Sequence, residues 1–292
     1  MNYKKTSEAF DWFKDNLKVI TTADLITSTK FTIELLNKDN NLKEYVLKAL
    51  IEADLGIDNF SASLEKVSAD DGTIDSSKSN ILAAVFRQLA SEDKDGSNIF
   101  ISDGKGNLMK LDVRTIHTVF KGKGNELKVP FRFDEESDGT QKMFALIGSW
   151  IDALSNGHTI VVDELDTKLH HLLNVFLIKL FHDPTQNKNN AQLIFTTHNT
   201  NLLDLDLFRR DQIWFTEKNP NTGSTDLYSL LEFSPRKDKN IQKGYLAGRY
   251  GAIPFINDER IFVEPKDKLK WADMGSDTGE GKRELEDLTR FS

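Results

Sequence analysis

Two short apolar runs, each ending in polar residues and separated by a single helical pattern, constrain the fold more than any other feature. The first is Thr159-Ile160-Val161-Val162 followed by Asp163-Glu164; the second is Gln192-Leu193-Ile194-Phe195 followed by Thr196-Thr197-His198-Asn199. Residues 169–181 between them carry apolar residues at helical spacing. A strand, a helix and a second strand at this separation form one crossover unit, so the two strands lie parallel in one sheet. The carboxyl ends of such strands are where open α/β sheets bind ligands. The pattern therefore predicts that Ser137, at the start of the preceding helix, converges with Glu164 and His198 at one rim of the sheet, with Asp163 at the same strand end.

The flanking segments extend the architecture. Leu42, Tyr45, Val46, Ala49, Leu50 and Ala53 recur at three and four residues, which predicts a helix over residues 42–55. Ile81, Leu82, Val85, Phe86 and Leu89 predict another over 81–89, so the first ninety residues read as mainly helical. Residues 98–113 read as strand, tight turn and strand, and 127–133 as a further strand. A helix is expected over 139–154. A hairpin is expected where 213–216 and 227–230 flank Asn219-Pro220-Asn221-Thr222-Gly223. Residues 273–292 are polar and charged and read as a tail. The boundaries that follow are a helical insertion with a small hairpin over 1–126, an α/β unit over 127–264 and a polar tail over 265–292.

Composition narrows the partners. The formal net charge is −8, which opposes a general affinity for phosphodiester backbones or anionic lipid. The chain has no cysteine, hence neither disulfides nor thiolate metal sites. Nothing apolar near the N-terminus resembles a signal peptide or a membrane span, and a cytoplasmic location is expected.

Each polar terminus has a chemical and a plain reading. Asp163 and Glu164 can hold a hydrated Mg²⁺ and polarise an attacking water, or can simply form an acidic turn. His198 can donate to a terminal phosphate oxygen, or can satisfy its own loop. Glu136-Ser137-Asp138-Gly139-Thr140 can present helix-start amides to an anion, or can merely cap a helix.

Taken together, the three segments resemble the ABC-type ATPases of bacterial abortive-infection and restriction-linked defence operons, the Rlo-like AAA group. Glu136-Ser137-Asp138-Gly139-Thr140 is similar to the family's signature loop, and Thr159 to Glu164 to its Walker B strand. Leu165-Asp166-Thr167-Lys168-Leu169-His170 resembles the D-loop, and Thr196-Thr197-His198-Asn199 the switch-histidine loop. Arg209-Arg210-Asp211-Gln212-Ile213-Trp214-Phe215, Lys243-Gly244-Tyr245 and Gly248-Arg249-Tyr250-Gly251-Ala252 resemble its C-terminal strands and closing segment. The resemblance implies an α/β, P-loop NTPase-like ATPase head with a helical insertion, using ATP and Mg²⁺. It also implies roles. Asp163 supports the metal, Glu164 is the general base and His198 contacts the γ-phosphate. Ser137, Gly139 and Thr140 meet a nucleotide held mainly by a second subunit, and Asp166 lies across the dimer seam.

One family element is missing from these residues. A phosphate-cradling loop has the form G-x-x-x-x-G-K-S/T, and no window fits. Gly104-Lys105-Gly106-Asn107 and Gly122-Lys123-Gly124-Asn125 lack the upstream glycine and the hydroxyl residue. The expectation is a head whose nucleotide-binding lobe is absent, through a truncated, split or misassigned gene. Its partner is then a second copy or a chain bearing the P-loop, and its output is an effector protein. The competing expectation is a catalytically inactive regulatory or dimerisation module. Nucleic acid is not indicated: Lys121-Gly122-Lys123-Gly124 and Arg236-Lys237-Asp238-Lys239 are small basic clusters in an acidic chain. His170-His171 lacks a zinc-ligand spacing.

Overall fold

The computed structural model describes residues 4–21, 25–39, 41–66, 99–102, 108–121, 125–236 and 239–254. The expected helix at 81–89, the turn at 103–107, the glycines at 122–124, part of the basic cluster at 236–239 and the tail lie outside them. In chain order the elements begin with α1 (Lys4–Asn16), β1 (Leu17–Ile20), α2 (Leu25–Lys38), α3 (Asn41–Glu52) and β2 (Asn59–Lys66). There follow β3 (Ile99–Ser102), β4 (Leu108–Lys121), β5 (Asn125–Arg132), α4 (Asp138–Asn156) and β6 (Thr159–Val162). The series closes with α5 (His171–His182), β7 (Gln192–Phe195), β8 (Trp214–Lys218), β9 (Thr225–Ser229) and α6 (Ile241–Leu246).

The described residues form three sheets. The first is parallel, in the order β1-β6-β7, with Leu17 opposite Thr159 and Thr159 opposite Gln192. The second is antiparallel, in the order β2-β4-β3, with β5 also pairing β4. The third is the β8–β9 hairpin. The crossover β6-α5-β7 is thus present. The mainly helical reading of the first ninety residues needs revision, because β1 joins the parallel sheet and β2 the antiparallel one. Leu17-Lys18-Val19-Ile20 is too short a run to be separated from a helix by periodicity, and only its partner β6 decides the matter.

Side chains alternate across the parallel sheet. Ile20, Ile160 and Val162 face a core formed with α2, α4 and α5, where Ile33, Leu146, Trp150 and Leu177 are also buried. The opposite row is Val19, Val161 and Ile194, in which Val19 is 67% and Ile194 56% exposed. The central helix α4 is started by Ser137, whose side chain accepts from the Thr140 amide, and is stopped by Gly157 at a left-handed φ of 74°. It crosses α2 closely, with the Thr32 hydroxyl donating to the Ala145 carbonyl at 3.0 Å. The Trp150 indole donates to the Leu177 carbonyl at 3.1 Å and ties α4 to α5. A second core surrounds the hairpin, where Phe215 stacks on Tyr245 and Tyr250.

Candidate functional site

The carboxyl ends of β6 and β7 are drawn together by one hydroxyl. Thr196, at the end of β7, donates from Oγ1 to Asp163 Oδ1 at 2.6 Å and accepts from the Glu164 amide at 2.7 Å. The Leu165 amide donates to the Thr196 carbonyl at 3.1 Å, and the Asp163 amide to Ile20 of β1 at 3.2 Å. Glu164 occupies a left-handed conformation, φ 49°, which costs a residue with a Cβ about 1–3 kcal/mol. That bend carries the Glu164 carboxylate out of the strand. Its Oε2 accepts from the Thr167 hydroxyl at 3.2 Å, and its Oε1 lies 3.8 Å from His198 Nε2. The His198 amide donates to Asp166 Oδ1 at 3.2 Å. The structure therefore brings together on the sheet rim two hydrogen-bonded sets, Asp163 with Glu164 through Thr196 and Asp166 with the His198 amide, with the Glu164 and His198 side chains 3.8 Å apart. The His198 side chain is 87% exposed and the Glu164 side chain 46%, so both are open to a ligand.

Ser137, Gly139 and Thr140 lie at the start of α4, and the expected convergence of Ser137 with Glu164 and His198 is not made by any direct hydrogen bond. Ser137 Oγ lies 2.9 Å from the Thr140 hydroxyl at the start of α4. The helix start abuts the turn after β6: a Cβ on Gly139 would lie 3.0 Å from the Lys168 carbonyl. Lys168 pairs with Asp138 at 3.2 Å. Among the described residues, none of Ser137, Gly139 and Thr140 hydrogen-bonds directly to Asp163, Glu164 or His198. The link passes instead through Lys142, one turn into α4. Its ammonium donates to the carbonyls of Glu164, Leu165 and Thr167 at 3.2, 2.9 and 2.6 Å. Burial lowers its pKa to about 8, against the opposing pull of Asp166 and Glu164.

Lys142 and Thr196 are residues of the candidate site to which the motif reading gives no role of their own. A signal for Lys142 does exist in the sequence. It heads the stripe Lys142, Leu146, Trp150 and Ala153, all buried, and a cation on a buried stripe requires partners. A second buried group lies just upstream. Glu136, adjacent to Ser137, accepts from the Thr115 hydroxyl and lies 2.6 Å from His117 Nε2, both on β4. The antiparallel sheet is thereby fastened to the residue before the helix cap.

The donor set suits a metal that arrives with its ligand. Among the described residues no group of three or more His, Asp or Glu side chains is arranged to hold a metal ion. Magnesium commonly takes one or two carboxylates, several waters and the substrate's phosphates, and Asp163 at an exposed strand end fits that pattern. Among the described residues no helix is long and apolar enough to cross a membrane.

A family model described as "AAA domain, putative AbiEii toxin, Type IV TA system" matches residues 53–204, more than half of the chain. The match spans α4, β6, α5 and β7, and with them every residue of the rim group. No curated protein matches the chain.

Proposed function

The chain belongs to the AbiEii-type AAA-domain family of P-loop ATPases, and from that premise we propose that it is the hydrolytic half of an ABC-type ATP-dependent switch. Carrying the proposal is the gathering of Asp163, Glu164 and His198 at the carboxyl ends of parallel strands, where Thr196 bridges Asp163 to the Glu164 amide and Asp166 accepts from the His198 amide. Asp163 would hold the hydrated Mg²⁺ that accompanies the nucleotide. Glu164, exposed and bent away from the strand, takes a proton from the attacking water. His198 donates to the γ-phosphate and steadies Glu164. Ser137, Gly139 and Thr140 present helix-start amides and hydroxyls to a triphosphate held by a second polypeptide, and Asp166 reports across the seam. The assembly closes on ATP and controls an effector of an abortive-infection system.

A second reading is favoured by one observation, the lack of any G-x-x-x-x-G-K-S/T window in the 292 residues. On that reading the chain is a regulatory module with no turnover of its own. Magnesium-dependent phosphate release and binding of a fluorescent ATP analogue separate the two. The chain alone is expected to turn over feebly or not at all. With a P-loop-bearing polypeptide it should gain turnover, which Glu164→Gln lowers by about a hundred- to ten-thousand-fold while analogue binding persists. Absence of analogue binding under both conditions would sink the ATPase reading. Robust turnover by the chain alone, abolished by Glu164→Gln, would remove the need for a second polypeptide.

A further inference from the structure

We propose that the outer edge of β5 pairs antiparallel with the same edge of a second copy of this chain, in a register centred on Leu127 that sets Glu126 opposite the partner's Lys128. The inference stands on the antiparallel sheet and takes nothing from the ATPase reading. β4 is flanked by β2 on one side and β5 on the other, since Arg114 pairs with both Ser61 and Arg132. β2 reaches only to Asn59, opposite Ile116, whereas β4 and β5 stay paired from His117 with Val129 out to Lys121 with Asn125. Beyond Ile116 the described residues form a two-stranded arm, and such an arm is marginally stable at best in water on its own. It also carries exposed apolar side chains: Phe120 is 70% exposed, and Val119 and Leu127 are 43% exposed.

The direction of the main-chain groups on this arm follows from three residues. Along an antiparallel strand they point alternately to either side. The Ile116 carbonyl accepts from the Asp58 amide at 2.8 Å, on the β2 side, so Pro130, which pairs with Ile116, turns its own main chain away from β4. The Arg132 amide, two residues on, agrees by donating to Glu135 Oε2 at 2.7 Å. Proline has no amide hydrogen, and in sheets it sits in edge strands with that position facing outward. By alternation the amides and carbonyls of Glu126 and Lys128 also point outward, to an edge with no strand partner among the described residues.

Charge then selects both the register and the occupant. A new strand bonds only through outward-pointing groups, so Glu126, Lys128 and Pro130 can meet only the same set in a second copy. Centring the pair on Glu126 opposes two carboxylates. Centring it on Lys128 opposes two ammonium groups and sets Glu126 against a proline that cannot donate. Centring it on Leu127 places Glu126 across from the partner's Lys128 on both sides of the two-fold axis and closes main-chain bonds at both pairs. Opposite charges directly across a strand pair attract and like charges repel, so this register alone is self-complementary. Leu127 then lies against the partner's Leu127, with Val119 beside it on the same face, and four strands replace two. Edge lysines ordinarily deter pairing, and here the partner's Glu126 cancels that effect.

The test is sedimentation velocity and hydrogen exchange on the full chain without nucleotide, so its outcome leaves the ATPase reading untouched. The chain is expected to dimerise reversibly, with exchange at the Glu126 and Lys128 amides slowing at least about tenfold as the dimer forms. Glu126→Lys and Lys128→Glu, both at exposed positions away from the rim, should each weaken dimerisation at least about tenfold. Affinity should return in the doubly substituted chain Glu126→Lys/Lys128→Glu and in an equimolar mixture of the two single variants, because each restores opposite charges across the axis. A chain that stays monomeric up to about 1 mM overturns the proposal, as does a dimer indifferent to both charge substitutions. Full protection of the two amides in the dilute monomer means that the chain's own residues fill the edge. Dimerisation that leaves them unprotected, or that requires Mg·ATP, belongs to another surface. Either result overturns the proposal too.

Discussion

The Lys142 ammonium lies 2.6 Å from the Thr167 carbonyl, so a cation from the signature-like helix braces the turn that follows the paired acids. Its other two donors fall on Glu164 and Leu165, and the side chain is almost wholly removed from water. Lys142→Met is expected to destabilise the chain by about 1–3 kcal/mol, because buried carbonyls lose a donor. Denaturant unfolding measures this, and an unchanged midpoint would show that the brace contributes nothing.

The same lysine gives a pH signature. Its pKa is about 8 when folded against an ordinary 10.5, so between these values the unfolded chain binds more protons than the folded one. Stability attributable to Lys142 then rises with pH across that window, and below about 8 the full cost of burying the charge is present. The gap in stability between the wild type and Lys142→Met is expected to widen from pH 8 toward pH 10. A flat gap would rule out the lowered pKa.

Gly148 lets α4 pass close against α2. A Cβ there would lie 2.7 Å from Thr32 Cα, a backbone atom that cannot swing aside. Gly148→Ala is expected to lower stability by about 1–3 kcal/mol despite the better helix propensity of alanine. A raised thermal midpoint would contradict the crossing.

Thr196→Val keeps the shape of the residue at the end of β7 and deletes the hydroxyl shared by Asp163 and Glu164. Magnesium-dependent binding of an ATP analogue by the completed assembly is expected to weaken by about tenfold, a loss near 1.4 kcal/mol. Thr196→Ser should restore it. Undiminished binding in Thr196→Val would show that the bridge contributes nothing.

Glu136→Leu removes the acceptor of Thr115 and His117 next to the helix cap. Leaving the buried Thr115 hydroxyl and the partly buried His117 ring without their acceptor should cost about 1–3 kcal/mol, measurable by denaturant titration. Combined with Thr115→Val the loss should be less than additive, because the hydroxyl has already lost its partner.

The parallel unit was readable because β6, α5 and β7 each carry a complete local signal: a β-branched run, an apolar helical pattern and a polar terminus. The cap at Ser137 was readable for the same reason. β1 was not, since four residues hold no periodicity and its membership depends on pairing with a strand over a hundred residues away. β2 was hidden likewise, its register being set by β4. Within the site, Asp163, Glu164 and His198 stood out as polar ends of apolar strands. Thr196 and Lys142 act through single atoms on the main chain or on a neighbour, and residue type alone does not advertise such contacts.

The left-handed backbone at Glu164 restricts what can stand there before any chemistry is considered. Valine, isoleucine and threonine crowd that region of conformational space, whereas glutamine, asparagine and glycine enter it more readily. Drift at this position is therefore channelled: the turn will tolerate loss of the acid far more easily than a branched replacement. A chain of this shape can lose the Glu164 carboxylate in one step, and copies that still fold without it are an accessible product of its own geometry.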